Sequence, residues 1–135
     1  MIAFRHPNMN MATATNTARL YWVAMGLFTL LFGFSVVLTL FDLSGSYENY
    51  AHLGFPSWTI FFNATAKILG LFAVFQTRWQ TLKDFAFAGF LFDLLLAFGA
   101  HAALQEADII RPIVGLIIWV FAFTMDRRFS RENAA

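Results

Sequence analysis

The chain contains no cysteine, which excludes several kinds of site from the outset. Without thiols, its own side chains form no disulfide, no thiolate metal site and no dithiol redox centre. Charged residues are also scarce, at 13% of 135 residues, against about 25% in a typical soluble domain. The formal net charge is only +1, so the composition gives no reason to expect nucleic acid as a partner.

Apolar residues, by contrast, make up 59% of the chain, and phenylalanine alone occurs 18 times. A soluble domain averages about 45–50% apolar residues. This surplus indicates an integral membrane protein whose immediate partner is the lipid bilayer. The length fits a single domain.

Four apolar segments are long enough to cross a bilayer, which takes about 17–25 residues in a helix. They run over residues 20–41, 57–76, 84–103 and 109–125. Pro112 falls in the first turn of the last segment, where its missing backbone N–H costs least. The connections are short, so the predicted fold is all-α, an antiparallel bundle of four transmembrane helices.

The segments that flank the predicted bundle (residues 20–126) are polar. Residues 1–19 are expected to be a flexible cytoplasmic tail, since they lack the apolar core of a signal peptide, and residues 127–135 a basic cytoplasmic tail. In the connection 42–56, the Ser-Gly-Ser sequence at 44–46 is expected to break the helix. Three residues of that connection would fit a short helix at the membrane interface: Tyr47, Tyr50 and Leu53.

Lysine and arginine concentrate at one end of the predicted bundle, the end with both termini and the connection 77–83. They are Arg5, Arg19, Arg78, Lys83, Arg127, Arg128 and Arg131. The opposite end has only Arg111. Basic residues flanking membrane helices favour the cytoplasmic side. We therefore expect both termini in the cytoplasm, and the compact loops and lack of targeting signals favour a bacterial inner membrane.

Two opposite charges lie near the middle of two predicted helices, Lys67 in the second and Asp93 in the third. Asp93 shares a helix face with small residues, which directs its carboxylate into the bundle. A charge at the bilayer centre costs at least about 2.5–3.5 kcal/mol, and a close ion pair offsets much of that. The pattern predicts a Lys67–Asp93 pair, which either lines a polar pocket or only fixes the helix register.

Other polar side chains fall near this pair. His101 lies two turns beyond Asp93, although a single interfacial histidine is also typical of hydrogen-bonded packing. Trp119 lies too deep for an interfacial residue, so it is expected to face another helix or a bound ligand. The predicted pocket, open to the outer side, is lined by Asn63, Lys67, Asp93, His101 and Trp119, with Glu48, His52 and Asp108 at its mouth.

The sequence predicts no catalytic residue and no metal site. Metal-ligand spacing, a nucleophile elbow, a phosphate-binding glycine loop and a dinucleotide fingerprint are all absent from it. A haem would need a second axial ligand beside His101, and only His52 is placed to supply one, so haem is not favoured. A quinone remains a possible ligand.

Several stretches resemble the DoxX-like family of small four-helix membrane proteins. They are LYWVAMGL in the first helix, YAHLGFPSW before the second, AKILGLFAVF within it and TLKDFAFAGFLFDLLLAFGAH across the third. The resemblance covers residues 20–125 and implies a four-helix bundle. It also implies recurring polar positions at Lys67, Asp84, Asp93, His101 and Asp108, with Asp84 where glutamate is usual.

The resemblance implies several roles, because members of this family have been linked to different ones. They include a subunit of a thiosulfate:quinone oxidoreductase, a partner in a membrane-associated oxidoreductase complex and, among distant relatives, a receptor-assembly chaperone. The favoured hypothesis is an accessory subunit that binds a quinone or lipid for a membrane redox partner, without catalytic activity of its own. The alternatives are an assembly factor or scaffold, and a small proton-coupled transporter using Lys67 and Asp93. The aromatic faces also suit a homo-oligomer.

Overall fold

The structure, a computed structural model, describes the backbone of residues 7–134 and the side chains of residues 15–133. No β-strand occurs in this range. The helices are α1 (Pro7–Phe41), α2 (Leu43–His52), α3 (Thr59–Phe75), α4 (Gln80–Ala103) and α5 (Ile110–Ala134), and a 3₁₀ turn, Ala107–Ile109, precedes α5. The predicted all-α fold is confirmed.

Three stretches are long and apolar enough to cross a membrane: Thr15–Phe41, Gln80–Ala103 and Ala107–Asn133. The fourth apolar helix, α3, has 17 residues, which is at the lower end of the spanning range of about 17–25. These helices coincide with the four predicted segments, and Pro112 lies in the first turn of α5 as expected. Together they fit a helical membrane bundle.

The first and last helices extend beyond the predicted spans. Residues 7–19, expected to be a flexible tail, continue α1, and residues 127–134 continue α5. The two extensions contact each other: the Thr17 hydroxyl donates to Glu132 over 3.1 Å, and the Tyr21 ring stacks on Phe129 with centroids 4.2 Å apart. Residues 1–6, with Arg5 of the orientation argument, lie outside the described range.

The break after α1 occurs at Asp42, before the Ser-Gly-Ser sequence that was expected to cause it. Asp42 caps α2, accepting a hydrogen bond from the backbone N–H of Gly45 over 3.0 Å, and residues 44–46 lie inside α2. The expectation that these residues break the helix is therefore wrong, because a carboxylate N-cap satisfies the first turn of a new helix. The short helix expected in this connection is present.

The four long helices are arranged in a ring in the order α1, α3, α4, α5, so that α1 and α4 each pack against both α3 and α5. The core between them is aromatic. The buried Phe28 ring of α1 contacts Phe32 of the same helix and, across the bundle, Phe87 and Phe90 of α4, with centroids 4.8–5.7 Å apart. We call the end with both chain termini the terminal end, and the opposite end the α2 end.

Helices α3 and α4 approach each other closely at Gly70. A Cβ atom added at Gly70 would lie 2.8 Å from a ring carbon of Phe90, which is only 4% exposed and held by the aromatic core. At Gly89, on α4, an added Cβ would meet nothing within 4 Å. The two glycines thus offer a matched comparison on the same helix pair.

We expect Gly70→Ala to lower the free energy of unfolding in lipid bicelles by about 1–3 kcal/mol relative to Gly89→Ala, because overpacking displaces the Phe90 ring. Both substitutions gain the same helix propensity, so their difference isolates the steric contact. Steric-trap unfolding measures both values. Equal stability of the two variants would contradict this close packing.

Candidate functional site

A cavity of about 760 Å³ lies between α3 and α4. Small residues from both helices form much of its wall: Ala66, Gly70 and Ala73 on α3, and Ala86, Gly89 and Ala97 on α4. Its volume is within the range of about 300–1,000 Å³ typical of small-molecule sites. The lining is otherwise mostly apolar, with a few polar groups toward the middle and the α2 end.

The polar centre of this cavity is the predicted pair of Lys67 and Asp93. The Lys67 Nζ lies 3.4 Å from the Asp93 Oδ2. The Asn63 amide donates to the other carboxylate oxygen over 2.8 Å, and Lys67 donates to the Ser35 hydroxyl over 3.3 Å. Three helices therefore hold one hydrogen-bonded group with no net charge.

Both charged side chains border the open space, since Lys67 is 13% exposed and Asp93 is 25% exposed. Neither is packed out of reach of a ligand. The Lys67–Asp93 pair thus lies on the wall of the cavity as well as between the two helices.

Tyr50, on α2, also lines the cavity. Burial, and then the negative charge of Asp93, raises the pKa of its hydroxyl. The hydroxyl therefore stays protonated at neutral pH and offers a hydrogen-bond donor. From the sequence, Tyr50 was expected only in an interfacial helix, because nothing in the sequence shows that α2 folds back over the cavity.

A second polar cluster lies at the α2 end and joins three elements. The His101 Nδ1 lies 3.0 Å from one carboxylate oxygen of Glu106, and the His52 Nε2 hydrogen-bonds to the other. The hydrogen bonds with His52 and then with His101 lower the pKa of Glu106. His101 lines the cavity, as predicted, whereas His52 lies at the protein surface, 57% exposed. Glu106 was not predicted.

Three other predicted site residues lie away from the cavity lining. Trp119 donates its indole N–H to the Phe87 carbonyl over 2.8 Å, so it faces another helix, one of the two alternatives left open. Glu48 is exposed on α2, and Asp108 is exposed with its carboxylate 4.0 Å from Arg111. The structure therefore brings together Asn63, Lys67, Asp93 and His101.

A second lysine–aspartate pair is buried near the terminal end. The Lys83 Nζ lies 3.0 Å from the Asp126 carboxylate, and these side chains are 5% and 1% exposed. In the sequence, Lys83 was expected only as a charge of the connection 77–83. The spacing in the sequence does indicate burial, because Lys83 lies on the same face of α4 as the buried residues Phe87, Phe90 and Leu94.

Arg127, also assigned to a tail, is likewise paired. Its guanidinium hydrogen-bonds to Asp84 of α4 and lies 4.8 Å from the centroid of the Phe123 ring. The pairing gives Asp84, one of the polar positions implied by the resemblance, a structural role. Both pairs tie the end of α5 to the start of α4.

We expect Lys83→Met to lower the free energy of unfolding by about 3–5 kcal/mol, because it leaves Asp126 charged, buried and unpaired. The matched variant Lys67→Met should cost less, since Asp93 is partly exposed and keeps Asn63 as a donor. The double variant Lys83→Met/Asp126→Leu should recover much of the loss. A larger loss from Lys67→Met than from Lys83→Met would contradict the contrast between the two pairs.

Comparison with known proteins agrees with this fold. The model of the DoxX-like family matches residues 23–124, which is most of the chain. No curated protein and no solved structure matches the sequence significantly. With a family match over that range and apolar helices of membrane-spanning length, the resemblance seen in the sequence is confirmed. The chain belongs to the DoxX-like family and is an integral membrane protein.

Proposed function

We propose that this protein binds an uncharged lipophilic molecule of the quinone class between α3 and α4 and presents it to an oxidoreductase in the same membrane. The observation that carries the proposal is the Lys67–Asp93 pair on the wall of an otherwise mostly apolar cavity of about 760 Å³. Convergent polar groups in an apolar cavity are typical of small-molecule sites.

The hydrogen-bonding groups favour a ligand with carbonyl or hydroxyl groups. The Lys67 ammonium has three N–H donors, and the contacts with Asp93 and Ser35 engage two of them. A quinone carbonyl would accept the third, and a quinol hydroxyl would donate to Asp93. Because the pair carries no net charge, it offers little attraction to an anionic lipid headgroup, which distinguishes a quinone from a phospholipid.

The rim of the cavity supports access from the bilayer. Four large apolar side chains of its lining are 63–72% exposed on the outside of α3 and α4: Phe62, Leu69, Phe85 and Phe92. In a membrane such side chains contact acyl chains, and a ligand dissolved in the bilayer would pass between them. A water-soluble substrate has no comparable route through this rim.

We assign quinone binding to this subunit and electron transfer to a partner oxidoreductase. Family roles implied by the resemblance agree with that division. We also retain the orientation with both termini cytoplasmic in a bacterial inner membrane. Arg19, Arg78, Arg128 and Arg131 lie at the terminal end even with Lys83 and Arg127 paired inside it.

A second candidate function uses the same cavity between α3 and α4. Small residues line the cavity wall and large apolar side chains line its rim, so the cavity would also receive a helix of another membrane protein or of a second copy. An assembly factor, a scaffold or a homo-oligomer requires such docking. The polar centre distinguishes the two, because a docked apolar helix has no use for a free ammonium donor. The transporter alternative has less support, since among the described lining residues titratable side chains lie only near the middle and the α2 end.

We expect the protein purified in mild detergent to retain a quinone in its organic extract, and Gly89→Leu to lower quinone affinity at least tenfold by filling the cavity. Lys67→Met should weaken quinone binding by about 10–100-fold, because the ligand carbonyl loses its hydrogen bond from the charged ammonium. Mass spectrometry of the extract and titration of lipid nanodiscs with a short-chain quinone provide the two measurements.

The matched control is Gly99→Leu. Gly99 lies on the same helix, has open space around an added Cβ and does not line the cavity. Its variant should bind quinone as the unmodified protein does. Equal affinity in the Gly89 and Gly99 variants would refute the binding site, and copurification of a membrane protein that Gly89→Leu displaces would favour the scaffold.

A further inference from the structure

We propose that His52, Glu106 and His101 form a proton path between the aqueous phase at the α2 end and the cavity. This inference goes beyond ligand binding and does not depend on which molecule the cavity holds. It concerns a cluster that connects the protein surface to the same space that Asp93 borders.

The three side chains form a continuous hydrogen-bonded series. Glu106 contacts His52 through one carboxylate oxygen and His101 through the other. Their exposure falls steadily from the surface inward, at 57% for His52, 28% for Glu106 and 12% for His101. Each of these groups can take up and release a proton, and an imidazole can do so through two different nitrogens.

The series leads into the cavity. His101 contacts Glu106 through Nδ1, which leaves Nε2 for exchange with the cavity that His101 lines. Asp93 lies eight residues earlier on α4, about 12 Å away at 1.5 Å per residue. Water in the cavity, which the hydroxyls of Thr39 and Tyr50 also line, would complete the path.

The backbone is shaped to place Glu106 over His101. Helix α4 ends in a Schellman motif, in which the Glu106 N–H donates to the His101 carbonyl and the Gln105 N–H to Ala102. Gln105 has a φ of 53°, in the left-handed region that glycine usually occupies at this position. The Cβ of a non-glycine residue is crowded in this conformation, so the turn is kept against a local steric penalty.

The proton path approaches the cavity from the α2 end. Around Asp93 the charged and titratable groups are Lys67 from α3 and Tyr50 from α2, with the Asn63 amide beside them. Toward the terminal end, the buried rings of Phe87 and Phe90 lie on α4 between Asp93 and Lys83. Among the described lining residues, proton-exchanging side chains therefore reach the cavity only from the α2 end.

The path would matter for the proposed ligand, and this consequence rests on the proposed function. A quinone reduced to a quinol takes up two electrons and two protons. The electrons would come from the partner oxidoreductase, and the protons would arrive through His101. In the opposite direction, quinol oxidation would release protons along the same series.

The chain has no cysteine, so a single introduced thiol can report proton exchange at one chosen position. A single thiol introduced as Ala97→Cys lies one turn from both Asp93 and His101 and lines the cavity. The S–D stretching band of a deuterated thiol falls in an infrared window free of other protein absorption and of the strong O–D band of D₂O. The rate at which this band appears after transfer of lipid nanodiscs to D₂O measures proton exchange inside the cavity without any ligand. Gly99→Cys, on the same helix outside the lining, is the matched reporter.

We expect the thiol at position 97 to exchange at least tenfold faster than the thiol at position 99. His101→Phe and Glu106→Gln should each slow exchange at position 97 at least tenfold. Asp108→Asn removes an exposed carboxylate two residues away and should leave the rate unchanged. Thermal unfolding of each variant verifies that it is folded, and Glu106→Gln, which keeps hydrogen-bonding capacity, guards against a structural effect of His101→Phe.

Two results would overturn the path. Exchange that is equally slow at positions 97 and 99 would show that protons do not reach the cavity. Exchange at position 97 that is unchanged in Glu106→Gln would show that the cluster does not conduct protons. Faster exchange in this variant would show that the cluster instead closes the α2 end. Neither result bears on quinone retention, so failure of the path and failure of the proposed function are distinguishable.

Discussion

The cost of placing charge inside a bilayer is the constraint on which this structure depends. Lysine and aspartate within the long helices are held in pairs, Lys67 with Asp93 and Lys83 with Asp126. These pairs connect α3 to α4 and α4 to α5, so neutralising the charges also fixes which helices are neighbours. The aromatic core around Phe28 fills the space between them.

The two pairs share their chemistry and differ in their surroundings, and that difference separates structure from function. Lys83 and Asp126 are almost completely buried, where a pair can hold helices together but can meet no ligand. Lys67 and Asp93 border a cavity because the small residues Gly89 and Ala97 lie one turn from Asp93 on the same face of α4. The Lys67–Asp93 pair can thus contact a ligand because the small residues beside it leave room for one.

Much of the fold followed from the sequence because apolar run length and charge placement act locally. The four spans, the Lys67–Asp93 pair and the part of the site formed by Asn63 and His101 belong to this predictable portion. The rest depends on contacts between distant segments. Glu106 joins the site only because the turn at Gln105 and the fold of α2 bring two histidines to it. The burial of Lys83 was not predicted because charged residues near a helix end usually lie at the surface, although Lys83 is on the face of α4 that packs into the core.

The most direct test of the account is solid-state NMR of the protein in lipid bilayers with ¹⁵N-labelled lysine and ¹³C-labelled aspartate. The chain has only two lysines, Lys67 and Lys83, so each ammonium signal is its own control for the other. We expect both ammonium nitrogens to couple to an aspartate carboxyl carbon, and a short-chain quinone to shift only the Lys67 signal. A quinone that shifts neither signal, or shifts Lys83 as much as Lys67, would contradict the assignment of the cavity pair as the binding site.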